Sequence, residues 1–169
     1  MKIVLIFISI LFSTAVFSQY ASKVEYWENG KKKSSMPMRN GIREGMNRTW
    51  YESGKRESKT EYLEDKPNGK TITWYETGAV KVKGQKRDDK KYGEWIWFYE
   101  NGNRKQMAHY SEKGEHGKWM WWRENGRLER EGEYVHGRKV GTWKEYDESG
   151  TLKKEETYSN GKLVDTKTY

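Results

Sequence analysis

Two stretches near the middle of the chain show the pattern from which the fold follows: GEWIWFYENG at residues 93–102 and GKWMWWRENG at residues 117–126. They lie 24 residues apart, and each places a dense run of aromatic side chains between two glycines. Aromatic residues that run into an Asn-Gly or Ser-Gly pair are typical of a strand that enters a β-hairpin turn. The two stretches therefore predict two copies of one hairpin.

The same spacing extends along the chain in both directions. Six turn glycines recur every 24 residues without insertion or deletion: Gly30, Gly54, Gly78, Gly102, Gly126 and Gly150. A second series keeps the same interval: Gly45, Gly69, Gly93, Gly117 and Gly141. Such a period indicates repeated units that stack to bury a shared core. We predict an all-β fold of six tandem β-hairpin repeats, stacked into an elongated, twisted, single-layer antiparallel sheet.

The spacing within a unit predicts the hairpin geometry. We expect a three-residue loop that ends on the turn glycine, with that glycine at positive φ. The aromatic residue four before the glycine should then face the residue two after it, and strand alternation should place the tyrosine eight after it on the same face. This face is predicted to be the core; its residues are Tyr26, Trp50, Trp74, Phe98, Trp122 and Tyr146, with Tyr62, Tyr110, Tyr134 and Tyr158. Because Gly132 belongs to neither glycine series, Gly132→Val is expected to cost less stability than Gly102→Val or Gly126→Val.

The composition is consistent with a thin, aromatic core. Only 33% of residues are hydrophobic and 34% are charged, a balance that by itself suggests disorder. Nine Trp and twelve Tyr reverse that interpretation, because each can bury on the order of 150–250 Å². The net charge of +8 is spread over interspersed basic and acidic residues, which indicates solubility and weak attraction to anionic surfaces. The chain has no cysteine, which excludes disulfides, thiolate metal sites and a lipid-modified cysteine anchor.

The first 18 residues have the pattern of a secretory signal peptide. Lys2 precedes an almost wholly apolar run at 3–17, and the small residue Ser18 precedes Gln19. We predict cleavage before Gln19, which leaves a repeat domain at residues 19–169 that is periplasmic, cell-surface or secreted. The alternative is an uncleaved amino-terminal anchor, although the apolar run is short against the roughly 20 residues that span a bilayer.

The repeat pattern G-x-W-x-x-Y-x-x-x-G, followed by a tyrosine and a loop ending in Gly, resembles the MORN repeat, in particular its bacterial variant. The two stretches quoted first carry the match best, and it extends over residues 21–165, with residues 31–44 departing most. The resemblance implies stacked β-hairpins with roles in scaffolding, protein contact or membrane-surface association. Some bacterial relatives carry an antitoxin label, and the family has no catalytic residues of its own.

No group of residues predicts chemistry, so we expect no catalytic, cofactor-binding or metal-binding residues. The three histidines, His109, His116 and His136, have no partner at a recognised zinc spacing. A glutamate precedes the turn in every unit, but an active site does not normally repeat six times. These carboxylates are expected to pair with the Lys or Arg just past each turn, or to accept backbone hydrogen bonds within it.

The strand face opposite the predicted core is the candidate binding surface. In the fourth and fifth units it becomes strongly aromatic, and the predicted partner-binding residues are Trp95, Trp97, Tyr99, Trp119, Trp121 and Arg123. One interpretation is a second packing layer. The other is an aromatic platform flanked by Lys and Arg, suited to a partner chain, a glycan or lipid headgroups.

These observations predict a non-enzymatic exported scaffold that binds another protein or a cell-envelope component through an aromatic sheet face. The alternatives are a glycan- or lipid-headgroup-binding envelope module and an antitoxin- or immunity-like partner protein. Weak membrane-surface association is also expected. Export and the high acidic content argue against nucleic acid as a partner.

Overall fold

A computed structural model describes residues 19–169. The predicted signal peptide at residues 1–18 lies outside the described residues. The described part of the chain forms fifteen strands and no helix: β1 Tyr20–Tyr26, β2 Lys32–Arg39, β3 Ile42–Arg43, β4 Gly45–Trp50, β5 Arg56–Leu63, β6 Lys66–Trp74, β7 Val80–Arg87, β8 Lys90–Phe98, β9 Arg104–Ser111, β10 Gly114–Glu115, β11 Gly117–Trp122, β12 Leu128–Val135, β13 Arg138–Tyr146, β14 Leu152–Ser159 and β15 Lys162–Thr168.

All fifteen strands belong to one open antiparallel sheet. The main strands follow one another in chain order from β1 to β15, while the two-residue strands β3 and β10 pair with β2 and β9. Each main strand therefore pairs with its neighbours in the chain, as expected for stacked hairpins. The predicted all-β architecture of tandem hairpins is confirmed.

The turn within each unit has the predicted three-residue loop. In the second unit the Tyr51 N–H donates to the Lys55 carbonyl (2.9 Å), and the Gly54 N–H donates to the Tyr51 carbonyl (2.8 Å). The six turn glycines have φ between 79° and 99°, a region where a Cβ is disfavoured. The glutamates just before these turns are exposed. In the described chain their carboxylates form no ion pair and accept no hydrogen bond, so neither the expected pairing with Lys or Arg nor the expected backbone hydrogen bonds within the turn are present.

Most connections between units are two-residue turns with both central residues at positive φ, the type I′ geometry that suits the right-handed twist of paired strands. The central pairs are Asn40 with Gly41, Glu64 with Asp65, Asp88 with Asp89, His136 with Gly137, and Asn160 with Gly161. Each unit is also joined to the next through these turns. For example, the Asp65 N–H donates to the Arg43 carbonyl at 3.1 Å.

The register within a hairpin explains why the predicted core face is wrong. As expected, Trp74 faces Val80 and Trp122 faces Leu128. A bulge follows at once, because Trp121 pairs with Arg130 and Glu129 is left without a residue opposite it. The extra residue reverses the alternation. The later tyrosine, which four of the six units carry, therefore lies on the face opposite that of Trp122.

Burial confirms that the deepest packing is on this other face. The buried hydrophobic residues are Trp95, Ile96, Ala108, Trp119 and Trp143, with exposed fractions between 0% and 7%. Of these, only Ile96 belongs to the face of Trp122, where it pairs with Met107. We call the other face the aromatic face; it carries Trp95, Trp97, Tyr110, Trp119, Trp121, Tyr134, Trp143 and Tyr158.

Small residues make this burial possible in a single-layer sheet. Each buried indole lies over or beside a small residue eleven positions earlier: Trp95 over Gly84, Trp119 beside Ala108, and Trp143 over Gly132. A Cβ at Gly84 would come within 2.3 Å of the Trp95 ring. Gly132 is in the same position under Trp143, so the structure argues against the expectation that Gly132→Val is the milder substitution.

A ladder of side-chain hydrogen bonds ties each unit to the next. At one repeat position, just before the turn, a polar side chain donates to the backbone carbonyl 23 residues later. The bonds are Trp27 Nε1 to Trp50 (3.0 Å), Tyr51 OH to Trp74 (2.6 Å), Tyr75 OH to Phe98 (2.9 Å), Tyr99 OH to Trp122 (2.9 Å) and Arg123 Nη2 to Tyr146 (2.9 Å). The stacking of units thus rests on directional bonds as well as on ring packing.

Candidate binding face

The aromatic face is a continuous row of ring contacts over the last three units. Tyr110 meets Trp119 edge-on (5.3 Å between centroids), Trp119 meets Tyr134 (5.0 Å), Tyr134 meets Trp143 (4.9 Å), and Trp143 meets Tyr158 (6.3 Å). These edge-to-face distances lie in the favourable range for aromatic pairs. The row is therefore a packed core that runs across the strands.

Two of the three buried indoles are also fixed by hydrogen bonds. Trp95 Nε1 donates to the Gln85 carbonyl (3.0 Å), and Trp119 Nε1 donates to the His109 carbonyl (3.2 Å). The two acceptors directly follow the small residues Gly84 and Ala108 in the sequence. The corresponding Nε1 of Trp143 is buried and has no partner within the described residues.

Basic side chains cover the outer surface of the rings. Lys91 Nζ lies 5.3 Å from the centroid of the Trp95 ring, 4.7 Å from that of Trp97 and 5.1 Å from that of Tyr110. Burial of the ammonium in this setting lowers the pKa of Lys91. Burial, with a smaller effect of the Glu115 carboxylate, raises the pKa of Tyr110 to about 12.

The two carboxy-terminal units have the same cover. Arg130 lies 4.4 Å from the Trp121 ring, and Lys139 lies 4.4 Å from Trp143 and 4.6 Å from Tyr158. Cations at these distances from ring faces are attracted by the aromatic quadrupole. The chain itself therefore occupies much of the ring surface that a ligand would otherwise contact.

The structure divides the six predicted partner-binding residues into three kinds. Trp95 and Trp119 are buried at 4% and 7% exposure, so their rings belong to the core. Trp97 and Trp121 are half-buried beside them, with centroids 5.9 Å and 5.6 Å away. Tyr99 and Arg123 are half-buried members of the hydrogen-bond ladder between units.

Trp121 and Arg123 come together at an open groove of about 520 Å³ between the fifth and sixth units. Its remaining lining residues are Glu129, Arg130, Glu145, Tyr146, Asp147, Glu148 and Lys153. The sequence pattern predicted Trp121 and Arg123 but not the charged residues around them. Asp147, Glu148 and Lys153 belong to the next hairpin, and they lie beside Trp121 only because the hairpins stack.

Charged pairs shape the groove. The Arg123 guanidinium donates through Nη1 to Glu129 Oε1 (2.9 Å) and through Nη2 to the Tyr146 carbonyl, and its Nε is buried without a partner in the described chain. The Ser149 hydroxyl, together with backbone N–H groups of the turn, lowers the pKa of Asp147. The groove thus offers both signs of charge on one aromatic edge.

Sequence reasoning missed the small residues and cations that build the aromatic face. Gly84, Ala108 and Gly132 recur at 24-residue intervals, and this third small-residue series was the available signal. Residues 19–169 contain no group of three or more His, Cys, Asp or Glu that could hold a metal ion. The same residues include no helix long and apolar enough to cross a membrane.

Comparison with known proteins agrees with the hairpin geometry. The MORN repeat variant profile matches residues 43–64, 91–112, 115–136 and 139–160, just over half of the chain. Nothing among curated proteins matches the chain. MORN repeats are non-catalytic modules that commonly mediate protein or membrane-lipid interactions. The chain, with its matched units and its single sheet of stacked hairpins, belongs to the MORN repeat family.

Proposed function

We propose that this protein is an exported, non-enzymatic scaffold that binds another protein at the groove beside Trp121 and Arg123. The observation that carries the proposal is the position of this groove, where the aromatic row meets free charged side chains. Glu148 and Lys153 line it, and their side chains make no hydrogen bond or ion pair within the described residues. A partner can therefore contact a ring edge and both signs of charge together.

The covering of the rings favours a protein over a glycan. Sugar rings stack on an open aromatic face, but Arg130 lies over Trp121 and Lys91 lies over Trp97. A protein partner needs no bare ring, because backbone and charged side chains can meet the rim of the groove. Lipid headgroups are less suited for a related reason, since the groove carries four carboxylates beside three cations.

Export and the lack of catalysis are parts of the same proposal. The charged start, the apolar run at 3–17 and the small residue before Gln19 support export. The repeat family supports a role without catalysis. The Arg123–Glu129 and Lys154–Glu145 pairs neutralise charged groups in and next to the groove, which suits recognition better than proton transfer.

Site-specific photo-crosslinking in the native host tests the binding proposal. A crosslinking residue at position 153 lies in the groove, and one at position 118 lies on the opposite face, where Lys118 pairs with Glu131 at 3.3 Å. We expect discrete adducts with an exported protein from position 153 alone, and their loss in Glu148→Lys. Equal adducts from both positions, or none from position 153, would contradict the proposed groove.

Export is tested separately. Mass spectrometry of the mature protein should show Gln19 as its first residue.

A further inference from the structure

A second groove of about 580 Å³ lies at the other end of the sheet, between the first two units. Most of its lining residues occupy the same repeat positions as those of the groove beside Trp121, 96 residues earlier: Glu25 corresponds to Trp121 and Trp27 to Arg123. Two small polar residues, Ser34 and Thr49, belong to its lining. Thr49, which lines the groove and hydrogen-bonds Ser58 (2.7 Å), stands where the fourth and fifth units carry Trp97 and Trp121.

In most units the ladder residue has a charged partner at one fixed repeat position. In three units the residue six positions after the ladder residue is a lysine, and its ammonium lies over the ring of that ladder residue. The pairs are Lys33 over Trp27 (4.6 Å), Lys81 over Tyr75 (5.4 Å) and Lys105 over Tyr99 (5.4 Å). In the fifth unit the pair is Arg123 with Glu129, joined at 2.9 Å. In each of these four units a cation contacts an aromatic ring or a carboxylate of the same unit.

The second unit breaks this pattern. Its ladder residue is Tyr51, and the position of the lysine is taken by Glu57. No cation of the described chain lies over the Tyr51 ring, and the carboxylates of Glu52, Glu57 and Glu76 make no hydrogen bond or ion pair within it. Burial raises the pKa of Tyr51, and the Glu57 and Glu76 carboxylates raise it further. The Tyr51 ring and the Glu57 carboxylate are thus present without the cation that three other units supply. Lys33 also lines the groove, but its ammonium lies over the Trp27 ring.

We infer that the groove beside Tyr51 and Glu57 binds a lysine or arginine side chain from a basic segment of a partner protein. The incoming cation lies over the Tyr51 ring, as lysines do in the neighbouring units, and pairs with Glu57. Met36 supplies apolar surface for the methylene stem, and Glu76 provides a second carboxylate on the rim. This site is separate from the groove of the proposed function, so either can fail without the other.

Calorimetric titration of the mature protein with a hexalysine peptide tests the inference, with hexaglutamate as the matched probe. Glu57→Lys rebuilds the internal pair of the other units and should weaken hexalysine binding by about tenfold or more. Glu57→Gln should weaken it less, in the same direction. The charge-matched control is Glu133→Lys, at an exposed position outside the groove, and it should change the affinity by no more than about twofold.

Chemical-shift changes measured by nuclear magnetic resonance locate the bound hexalysine on the protein. Hexalysine should shift the Trp27 indole N–H and the Tyr51 ring signals while it leaves those of Trp121 unchanged. Thermal melts of both Glu57 variants should match the parent protein, which shows that a lost affinity is not a lost fold. The inference is overturned if hexalysine fails to bind, if Glu133→Lys weakens binding as much as Glu57→Lys, or if the shifts map to Trp121.

Discussion

Trp143 lies directly on the backbone of Gly132: a Cβ added to this glycine would come 2.2 Å from Cδ2 of the indole. Trp143 is 2% exposed, so a side chain at position 132 requires the ring or the strand beneath it to shift. Gly126, by contrast, is a turn glycine with φ of 85° and nothing closer than 3.7 Å to its added Cβ. The two glycines are needed for different reasons, one for space and one for backbone conformation.

Gly132→Val should therefore destabilise the protein at least as much as Gly126→Val. Overpacking of a core typically costs about 1–3 kcal/mol and occasionally more, whereas positive φ in a non-glycine residue costs about 1–2 kcal/mol. Urea denaturation of the two variants measures the difference. A clearly smaller loss for Gly132→Val would show that the indole can lift away from the strand.

The indole N–H groups predict a difference between two otherwise similar core substitutions. Trp95 and Trp143 are both almost fully buried, but only Trp95 donates a hydrogen bond, to the Gln85 carbonyl. Trp95→Phe should thus cost about 0.5–1.5 kcal/mol more than Trp143→Phe. The free energies of unfolding in urea provide the comparison, and an equal loss in both variants would mean that the bond contributes nothing net.

The ladder of hydroxyl groups should couple neighbouring units. Tyr75→Phe removes the bond to the Phe98 carbonyl (2.9 Å) and leaves that carbonyl without its side-chain donor, at a cost of about 0.5–1.5 kcal/mol. Hydrogen exchange should quicken at the amides of the third and fourth hairpins before it quickens elsewhere. Tyr26→Phe is the control, since Tyr26 is 59% exposed and outside the ladder; similar losses in both variants would argue against coupling through the hydroxyl.

Tyr110 predicts a loss of stability in alkaline solution. Its pKa is raised from the ordinary 10.0 to about 12 in the folded chain, so folding favours the protonated phenol. The resulting stabilisation is complete below about pH 10 and is lost as the pH rises through about 12. Tyr110→Phe keeps the ring contact with Trp119 (5.3 Å) but cannot ionise.

The parent protein should consequently lose more stability than Tyr110→Phe between about pH 9 and about pH 11. Lys91, whose pKa is lowered by burial, is present in both proteins. Urea midpoints at the two pH values give the difference, and a phenol that titrates near its ordinary pKa by ultraviolet absorbance would contradict the buried setting.

The period, the hairpins and their turns could be predicted from the sequence because these features are local. A glycine at positive φ before Lys55 or Arg127 fixes a three-residue loop, whatever surrounds it. The facing pair of Trp74 and Val80 followed from the same loop length. Because every main strand pairs with its neighbour in the chain, the order of strands in the sheet needed no long-range information either.

The identity of the core face, by contrast, depends on the tertiary structure. A bulge of one residue after each turn moves Tyr134 from the face of Trp122 to that of Trp119 and Trp143, and alternation cannot be extended across a bulge whose position is unknown. The two grooves were likewise beyond the sequence pattern, because their lining side chains come from hairpins that meet only after stacking. Spacing along the chain sets local geometry, but burial depends on the size of the side chain that the next unit places beside each ring.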